Sequence, residues 1–253
     1  TSNVTTMKKM FSGAGHFNQS LNSWDVSSVT DMGRMFEASA INQPLNNWNT
    51  GGVINMDKMF QGAPDFNQSL NDWDVSNVES MLAMFSGATD FNQPLNDWDT
   101  SNVTTMKKMF INASSFNQHL NGWTVSSVTN MSNMFQNTDS FQSNSLSLWN
   151  VGNVTNMKGM FNGNGGFNGN ISLWNVGNVS NMESMFSNSV FNGQLLWNVS
   201  SVTNMSNMFS GNVVFNQNLS AWAVNSNVTN CSNFDTGATA WVLARPNFTS
   251  CTI

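Results

Sequence analysis

A unit of about 25 residues is repeated along almost the whole chain, and this repeat is the strongest constraint on the fold. One tryptophan marks each unit, and neighbouring marker tryptophans are 23 to 26 residues apart. They are Trp24, Trp48, Trp73, Trp98, Trp123, Trp149, Trp174, Trp197 and Trp222. A fixed period of this length is typical of stacked repeat proteins, in which each unit contacts only its neighbours. We therefore expect one elongated domain.

The first half of each unit predicts a short β-strand. Its pattern is Leu-x-x-Trp-x-Val, as in Leu70, Trp73 and Val75. Because residues two apart lie on the same face of a strand, the tryptophan and the valine are both expected in the core. The alternative is an exposed ladder of tryptophan rings, which would suit stacking against sugars or peptides.

The second half of each unit predicts a short helix. In the pattern Val-Thr-x-Met-x-x-Met-Phe, residues such as Met106, Met109 and Phe110 have the i, i+3, i+4 spacing of one apolar helix face. The preceding threonine or serine, for example Thr104, is expected to cap the helix N-terminus. Two residues after the phenylalanine comes a glycine or asparagine, except at Ala38, which is typical of a left-handed C-terminal cap. Whether these helices are α-helices or 3-10 turns stays open.

An asparagine that follows the next phenylalanine, or Ile41 in one unit, predicts a ladder between the coils. It recurs at Asn18, Asn42, Asn67, Asn92, Asn117, Asn168, Asn192 and Asn216, with Gln142 as the exception. Each side-chain amide is expected to bond the backbone of the next coil and so satisfy a turn that water cannot reach. N-glycosylation of the many Asn-x-Ser/Thr triplets is the alternative, but the repeat generates those triplets mechanically.

The end of the chain breaks the repeat and predicts a cap. We expect a repeat domain at 1–230, with an incomplete first repeat and no N-terminal cap, followed by a C-terminal cap at 231–253. Cys231 replaces a repeat methionine, and a disulfide to Cys251 would fix the cap in place. Two free buried thiols are the alternative. A disulfide implies an oxidising compartment, so an extracellular or cell-surface location is expected.

The repeat resembles that of a family of bacterial surface proteins. The unit Phe-Asn-Gln-x-Leu-x-x-Trp-Asp-Val-Ser-x-Val-Thr-x-Met-x-x-Met-Phe-x-Gly-Ala is similar to the repeat of the BspA-like leucine-rich-repeat surface proteins, found as mycoplasma lipoproteins and in adhesin chains. The resemblance implies surface display and adhesion or partner binding, with no catalytic residues to carry over. With the predicted elements, it implies an α/β repeat solenoid of about nine coils, leucine-rich-repeat-like, with one short parallel strand and one short helix per coil.

Composition excludes several function classes. Charged residues make up 9% of the chain, the net charge is -6, and only eight residues are Lys or Arg, so a nucleic-acid partner is not expected. No apolar run approaches the length of about 18 residues that a membrane span needs, so direct membrane insertion is not expected. The two histidines, His16 and His119, occupy different repeat positions. Without a nucleophile elbow, a phosphate loop or a Cys/His metal spacing, we expect no enzyme.

The residues on either side of each tryptophan form the candidate ligand-binding face. Asp72 and Asp74 in one unit, and Asp97 and Asp99 in the next, would place like charges side by side on adjacent strands. Such carboxylates suit a Ca²⁺ ion or a basic partner. The alternative is a solvated acidic rim.

Three later units place a leucine immediately before the tryptophan, at Leu148, Leu173 and Leu196. An outward row of leucines predicts a contact surface for a partner. The alternative is a local insertion that turns these side chains into the core. Most cations fall on the predicted solvent side of the helices, where charges usually serve solvation. They are Lys8, Lys9, Arg34, Lys58, Lys107, Lys108 and Lys158.

These features predict a non-enzymatic ligand-binding or adhesion module of a bacterial surface or secreted protein. Its partner would be a host or environmental protein, peptide or glycan on the strand face. One alternative is an ice-binding or surface-adsorbing solenoid built on regular Thr and Asn arrays, although the aspartates and leucines would interrupt a flat lattice. The other is a structural spacer or assembly element of a longer adhesin, which would self-associate through an open N-terminal face.

Overall fold

The chain forms a stack of coils that are joined by single parallel bridges. A computed structural model describes residues 1–143, 145–224 and 227–252. One residue of each coil pairs in parallel with its equivalent in the next coil. These residues are Thr6, Asp31, Asn55, Ser80, Thr105, Asn130, Asn156, Asn181, Asn204 and Asn230. Each repeat therefore lies against its sequence neighbours along one axis.

The predicted α/β solenoid, with one strand and one helix per coil, is wrong. Across the three described ranges the one helix is the 3-10 helix Ser145–Leu148, and no strand is longer than a single bridge. The leucine-rich-repeat pattern of strand and helix that the family resemblance implied is therefore absent from the described coils. Each coil consists of turns and irregular segments instead.

The segment predicted to be helical is a run of turns in which every second N–H group donates to the next coil. The N–H groups of Met56, Lys58 and Phe60 donate to carbonyls of the following coil at 3.2, 2.7 and 2.9 Å. Between them, Met59 and Gln61 close turns onto the carbonyl three residues earlier. An α-helix would keep these bonds inside one coil. The i, i+3, i+4 spacing buries the same apolar side chains in this run of turns, which is why the spacing alone suggested a helix.

Two positions in each turn segment have a positive φ, as the third residue of a type II turn requires. The first position is held by Lys9, Arg34, Lys58, Ala83, Lys108, Asn133, Gly159, Ser184, Asn207 and Asn233. The second lies four residues later, at Gly13, Ala38, Gly62, Gly87, Asn112, Asn137, Gly163, Asn188, Gly211 and Gly237. The sequence predicted a left-handed residue at the second position, although as a helix cap. It did not predict the first.

The tryptophan segment lies between two turns and is not a strand. The N–H of Trp73 donates to the carbonyl of Leu70 at 3.1 Å, and the N–H of Val78 donates to the carbonyl of Val75 at 2.9 Å. These two turns are so close in sequence that too few residues remain between them to form a β-ladder with the next coil. The tryptophan and the valine are nevertheless both buried, as predicted from their shared face.

The repeat tryptophans form a continuous column in the core. All those from Trp48 to Trp222 are buried, so the predicted core position is confirmed and the exposed-ladder interpretation is wrong. Each of these indole N–H groups donates to a carbonyl of the preceding coil at 2.7 to 3.1 Å, as from Trp98 to Leu70. The buried rings therefore hold neighbouring coils together by packing and by hydrogen bonding.

Polar side chains form further ladders between the coils. The side-chain oxygen of Asn92 accepts the backbone N–H of Asn117 at 2.9 Å, and the same bond recurs along the stack, so the predicted asparagine ladder is confirmed. The predicted helix caps are wrong. The hydroxyl of Thr129 donates to the carbonyl of Thr104 in the preceding coil at 3.3 Å, and equivalent residues do the same.

A disulfide and aromatic contacts hold the C-terminal segment against the stack. Cys231 is buried and bonded to Cys251, with their Cα atoms 5.9 Å apart, so the predicted pairing is present. The ring of Trp241 packs edge-on against core phenylalanines. The guanidinium of Arg245 lies 5.0 Å from the centroid of that indole ring and pairs with an aspartate. Ile253, the last residue of the predicted cap at 231–253, lies outside the described residues.

Candidate functional site

The four aspartates predicted to bind a ligand or Ca²⁺ are exposed but do not form a metal site. The structure brings no group of three or more His, Cys, Asp or Glu side chains together among the described residues. Asp97 accepts a hydrogen bond from the side chain of Asn71 at 2.6 Å, and Asp99 accepts one from the N–H of Ser101 at 3.0 Å. These carboxylates therefore serve local bonds within the stack.

Asp74 shows most clearly what the residue after the tryptophan does. Its carboxylate accepts the hydroxyl of Ser76 at 2.6 Å and the N–H of the same residue at 3.0 Å. These two bonds hold the pKa of Asp74 below its usual value, with the hydroxyl making the larger contribution. The same bond to the N–H two residues later recurs at Asp25, Asn49, Asp99, Asn150, Asn175 and Asn198. This position builds a turn.

The leucines predicted to face outwards do lie in water. Leu148, Leu173 and Leu196 are 84%, 82% and 68% exposed, and they are called the leucine row below. Each immediately precedes a buried tryptophan, and the rings of those tryptophans stack with centroids 6.4 Å apart. The three leucines therefore lie in register on consecutive coils. The alternative, in which an insertion turned them into the core, is wrong.

A second exposed row consists of hydroxyl groups, which sequence reasoning included only in general terms, as the Thr arrays of the ice-binding alternative. This threonine row comprises Thr104, Thr129, Thr155, Ser180, Thr203 and Thr229, all exposed. Each hydroxyl after the first donates to the carbonyl of the preceding member at 3.1 to 3.4 Å, so the side chains share one orientation. Ile54 and Glu79 interrupt the same position in earlier coils. The recurring threonine or serine was visible in the sequence, but these residues were predicted to be helix caps.

Amide and hydroxyl side chains two residues before the threonine row form a parallel ladder. Asn102, Asn153 and Asn178 each donate to a carbonyl of the preceding coil at 2.6 to 2.7 Å. Ser127 makes the equivalent bond at 2.7 Å. The amides of these Asn-x-Ser/Thr triplets therefore already serve the structural role that the repeat predicts, and the two ladders together make one polar face.

The remaining predicted reactive groups do not converge. The Nδ1 atom of His119 lies 3.3 Å from the hydroxyl of Ser143, and no contact brings it to His16 within the described ranges. No helix in the described part of the chain is long and apolar enough to cross a bilayer. The surface rows are thus the features that a partner could recognise.

Comparison with known proteins identifies a repeat family. The chain matches the family model described as "Mycoplasma protein of unknown function, DUF285" at residues 1–81, 38–147, 116–196 and 142–243. These overlapping matches together cover the repeats from the first coil to the cap. No curated protein and no solved structure matches the chain. The family description states no function, so function has to be inferred from the exposed rows.

Proposed function

The chain belongs to this DUF285 repeat family, and we propose that it is a non-enzymatic binding module of a bacterial surface or secreted protein. The observation that carries the proposal is the leucine row, which a protein or peptide partner would cover. Three large apolar side chains stay in water on consecutive coils, whereas leucines three residues before a tryptophan, such as Leu70 and Leu95, are buried.

Covering the leucine row would contribute substantially to binding. Burial of one leucine side chain contributes about 1.5–3 kcal/mol, so three give roughly 4–9 kcal/mol before the cost of association is subtracted. The row is also rigid, because each leucine is followed by a buried tryptophan whose indole is bonded to the preceding coil. A rigid apolar row loses little side-chain entropy when a partner covers it.

The chemistry of this face favours a protein or peptide over a glycan. Sugar-binding faces commonly present aromatic rings, but the tryptophans next to the leucine row are buried. The neighbouring Asn150, Asn175 and Asn198 already accept backbone N–H groups through their side-chain oxygens. The leucine side chains are the large apolar groups exposed on this face, and they suit an apolar stretch of polypeptide.

Surface display or secretion forms part of the proposal. The disulfide between Cys231 and Cys251 supports an oxidising compartment, because such bonds are rare in a reducing cytosol. The resemblance of the repeat to the BspA-like surface proteins supports the same location. Neither feature names the partner, so the experiment has to begin with a screen.

The test is a binding screen followed by one substitution in the middle of the row. The purified protein is applied to immobilised extracellular-matrix proteins and to intact bacterial and animal cells. For each surface that retains it, Leu173→Asp is expected to weaken binding at least about tenfold, because a charge would have to be buried beneath the partner. The matched control is Val213→Asp, since Val213 is also 59% exposed but occupies another coil position. Equal binding by wild type and Leu173→Asp, or no binding in the screen, would contradict the proposal.

The threonine row favours a second candidate function, adsorption to ice or to another ordered surface. The uniformly oriented hydroxyls repeat once per coil, about 4.8 Å apart. In each coil the leucine row precedes the threonine row by seven residues, as with Leu148 and Thr155, so the leucines do not interrupt it. Thermal hysteresis that Thr155→Leu lowers and Leu173→Asp leaves unchanged would support this function. Absence of hysteresis in the wild type would exclude ice as the surface.

A further inference from the structure

The cations of this acidic protein are concentrated on one surface. Of its eight Lys and Arg residues, all except Arg245 lie in the turn segment that follows the bridge residue. Four of them, Lys9, Arg34, Lys58 and Lys108, share a single coil position and are called the basic row below. Sequence reasoning assigned these side chains to the solvent side of a helix, but the structure places them on turns.

The backbone at the basic row disfavours the residues that occupy it. Lys9, Arg34 and Lys58 have φ values of 60°, 59° and 58°, in the left-handed region that favours glycine and asparagine. In later coils the same position is indeed held by residues such as Asn133 and Gly159. Long basic side chains therefore occupy positions where glycine or asparagine would adopt the backbone conformation at a lower energetic cost. Backbone strain of this kind is often retained for function.

The basic row also crowds like charges. The N–H of Lys9 donates to the carbonyl of Gly33 at 3.0 Å, and the N–H of Arg34 donates to the carbonyl of Asp57 at 2.7 Å, so neighbouring coils are in register. Lys9, Arg34 and Lys58 are therefore spaced by about 4.8 Å per coil at the backbone, and Lys108 lies two coils beyond Lys58. Charges of one sign at this spacing repel each other unless an anion lies between them.

Of the four charges in the basic row, one is paired within the described part of the protein, because the guanidinium of Arg34 lies 3.8 Å from the carboxylate of Glu37. Neither Lys9 nor Lys58 forms an ion pair there. The carboxylate of Asp57 instead accepts hydrogen bonds from the following coil. A groove of about 290 Å³ opens at this point, and it is lined by Lys8, Lys9, Gly33, Arg34, Asn55 and Asp57.

We propose that the basic row binds a linear anionic polysaccharide, one that carries sulfate or carboxylate groups along its length. Three of the cations lie on consecutive coils, and Lys108 follows after one coil that has Ala83 at this position. A linear polyanion that runs along the stack axis can therefore contact several of them at once. A small anion would meet only those at the groove. A nucleic-acid duplex is the weaker candidate, because a single row of four cations would contact only one edge of it, which provides few of the phosphate contacts on which duplex binding depends.

The test compares two triple variants that have the same net charge. The first, Lys9→Asn with Arg34→Asn and Lys58→Asn, removes three cations and keeps a residue that tolerates a positive φ. The second, Asn150→Asp with Asn175→Asp and Asn198→Asp, adds three charges on the leucine-row side. Aspartate already forms the equivalent turn at Asp74 and Asp99, so the local turn can still form. Both variants change the net charge from -6 to -9.

The probe is immobilised heparin, a sulfated glycan, at about 50 mM salt, where exposed charges are only weakly screened. The wild type is expected to be retained and to elute as salt rises. The first variant should bind at least about tenfold more weakly, whereas the second should bind like the wild type. Leu173→Asp should also leave heparin binding unchanged, which separates this site from the leucine row.

Three results would overturn the proposal. The first is an unretained wild type, and the second is equal loss of binding in both triple variants, which would show an effect of net charge alone. The third is duplex DNA or anionic lipid vesicles binding as tightly as heparin, which would assign the row to another class of polyanion. Melting temperatures of both variants at or above that of the wild type would show that lost binding is not lost folding.

Discussion

Replacing two adjacent lysines by glycine separates the observed turns from a helix. Lys108 has a φ of 61°, whereas its neighbour Lys107 is absent from the residues with positive φ. The left-handed conformation costs an L-residue about 1–2 kcal/mol, and glycine is exempt. Against this, glycine loses about 0.5–1 kcal/mol through its extra freedom in the unfolded chain. Lys108→Gly is therefore expected to stabilise the protein by about 0.5–1 kcal/mol.

Lys107→Gly is the matched control, because it removes the same side chain one residue earlier without relieving any strain. It is expected to destabilise the protein by about 0.5–1 kcal/mol. A change of 1 kcal/mol shifts the melting temperature of a protein of this size by about 2–4 °C, so the two variants should move in opposite directions by a measurable amount.

Thermal and urea unfolding would be followed by tryptophan fluorescence and by far-UV circular dichroism. Two probes are needed because long repeat arrays can depart from two-state unfolding. In a helix both lysines would have negative φ, and both glycines would destabilise it by about 1 kcal/mol. A fall in stability for both variants would therefore refute the turn assignment.

Three further predictions test other parts of the stack. Asn92→Ala should destabilise the protein by about 1–3 kcal/mol in urea unfolding, because the backbone N–H of Asn117 in the next coil loses its hydrogen-bond acceptor. Asn121→Ala is the control and should have little effect, because Asn121 is exposed. The pKa of Asp74, followed by NMR titration, should lie below its usual value and rise in Ser76→Ala. Since the folded pKa is lowered, the stabilisation from this carboxylate is present above the unfolded pKa and is lost as pH falls through the folded one. Cys251→Ser should cost about 3 kcal/mol of stability, and wild type in reductant should match it.

The sequence predicted the core of this protein better than its backbone. The tryptophan two residues before the valine and the Met-x-x-Met-Phe spacing identified the buried side chains, because burial depends mainly on which apolar residues recur. The asparagine ladder was predictable for a similar reason, since one polar residue recurs beside buried ones. The same spacings could not show where the N–H groups donate. A segment as short as Met56 to Phe60 satisfies helical spacing and alternating turns equally well.

The surface was predicted in part. The outward position of Leu173 followed from its place next to a buried tryptophan, and the structure leaves it exposed. The role of Asp74 was missed, because its partner Ser76 lies only two residues away and signals a turn that a predicted strand would not contain. The threonine and basic rows were not recognised as rows in the structure's sense, because both were assigned to a helix. Thr129 was predicted to cap that helix, and this prediction is wrong because the helix is absent. Lys58 was predicted to lie on the solvent side of a helix, and the structure places it on a turn instead.

The direction of the bonds between coils has a mechanical consequence. Indole N–H groups donate towards the start of the chain and turn N–H groups donate towards its end, so each coil is fastened separately to both neighbours. A pulling force applied at the two termini would act on these interfaces in series, so the weakest one would break first. Each rupture would release one coil of about 25 residues, or about 85 Å of extended chain. The molecule would thus lengthen under tension in steps of similar length, with one coil unfolding at each step.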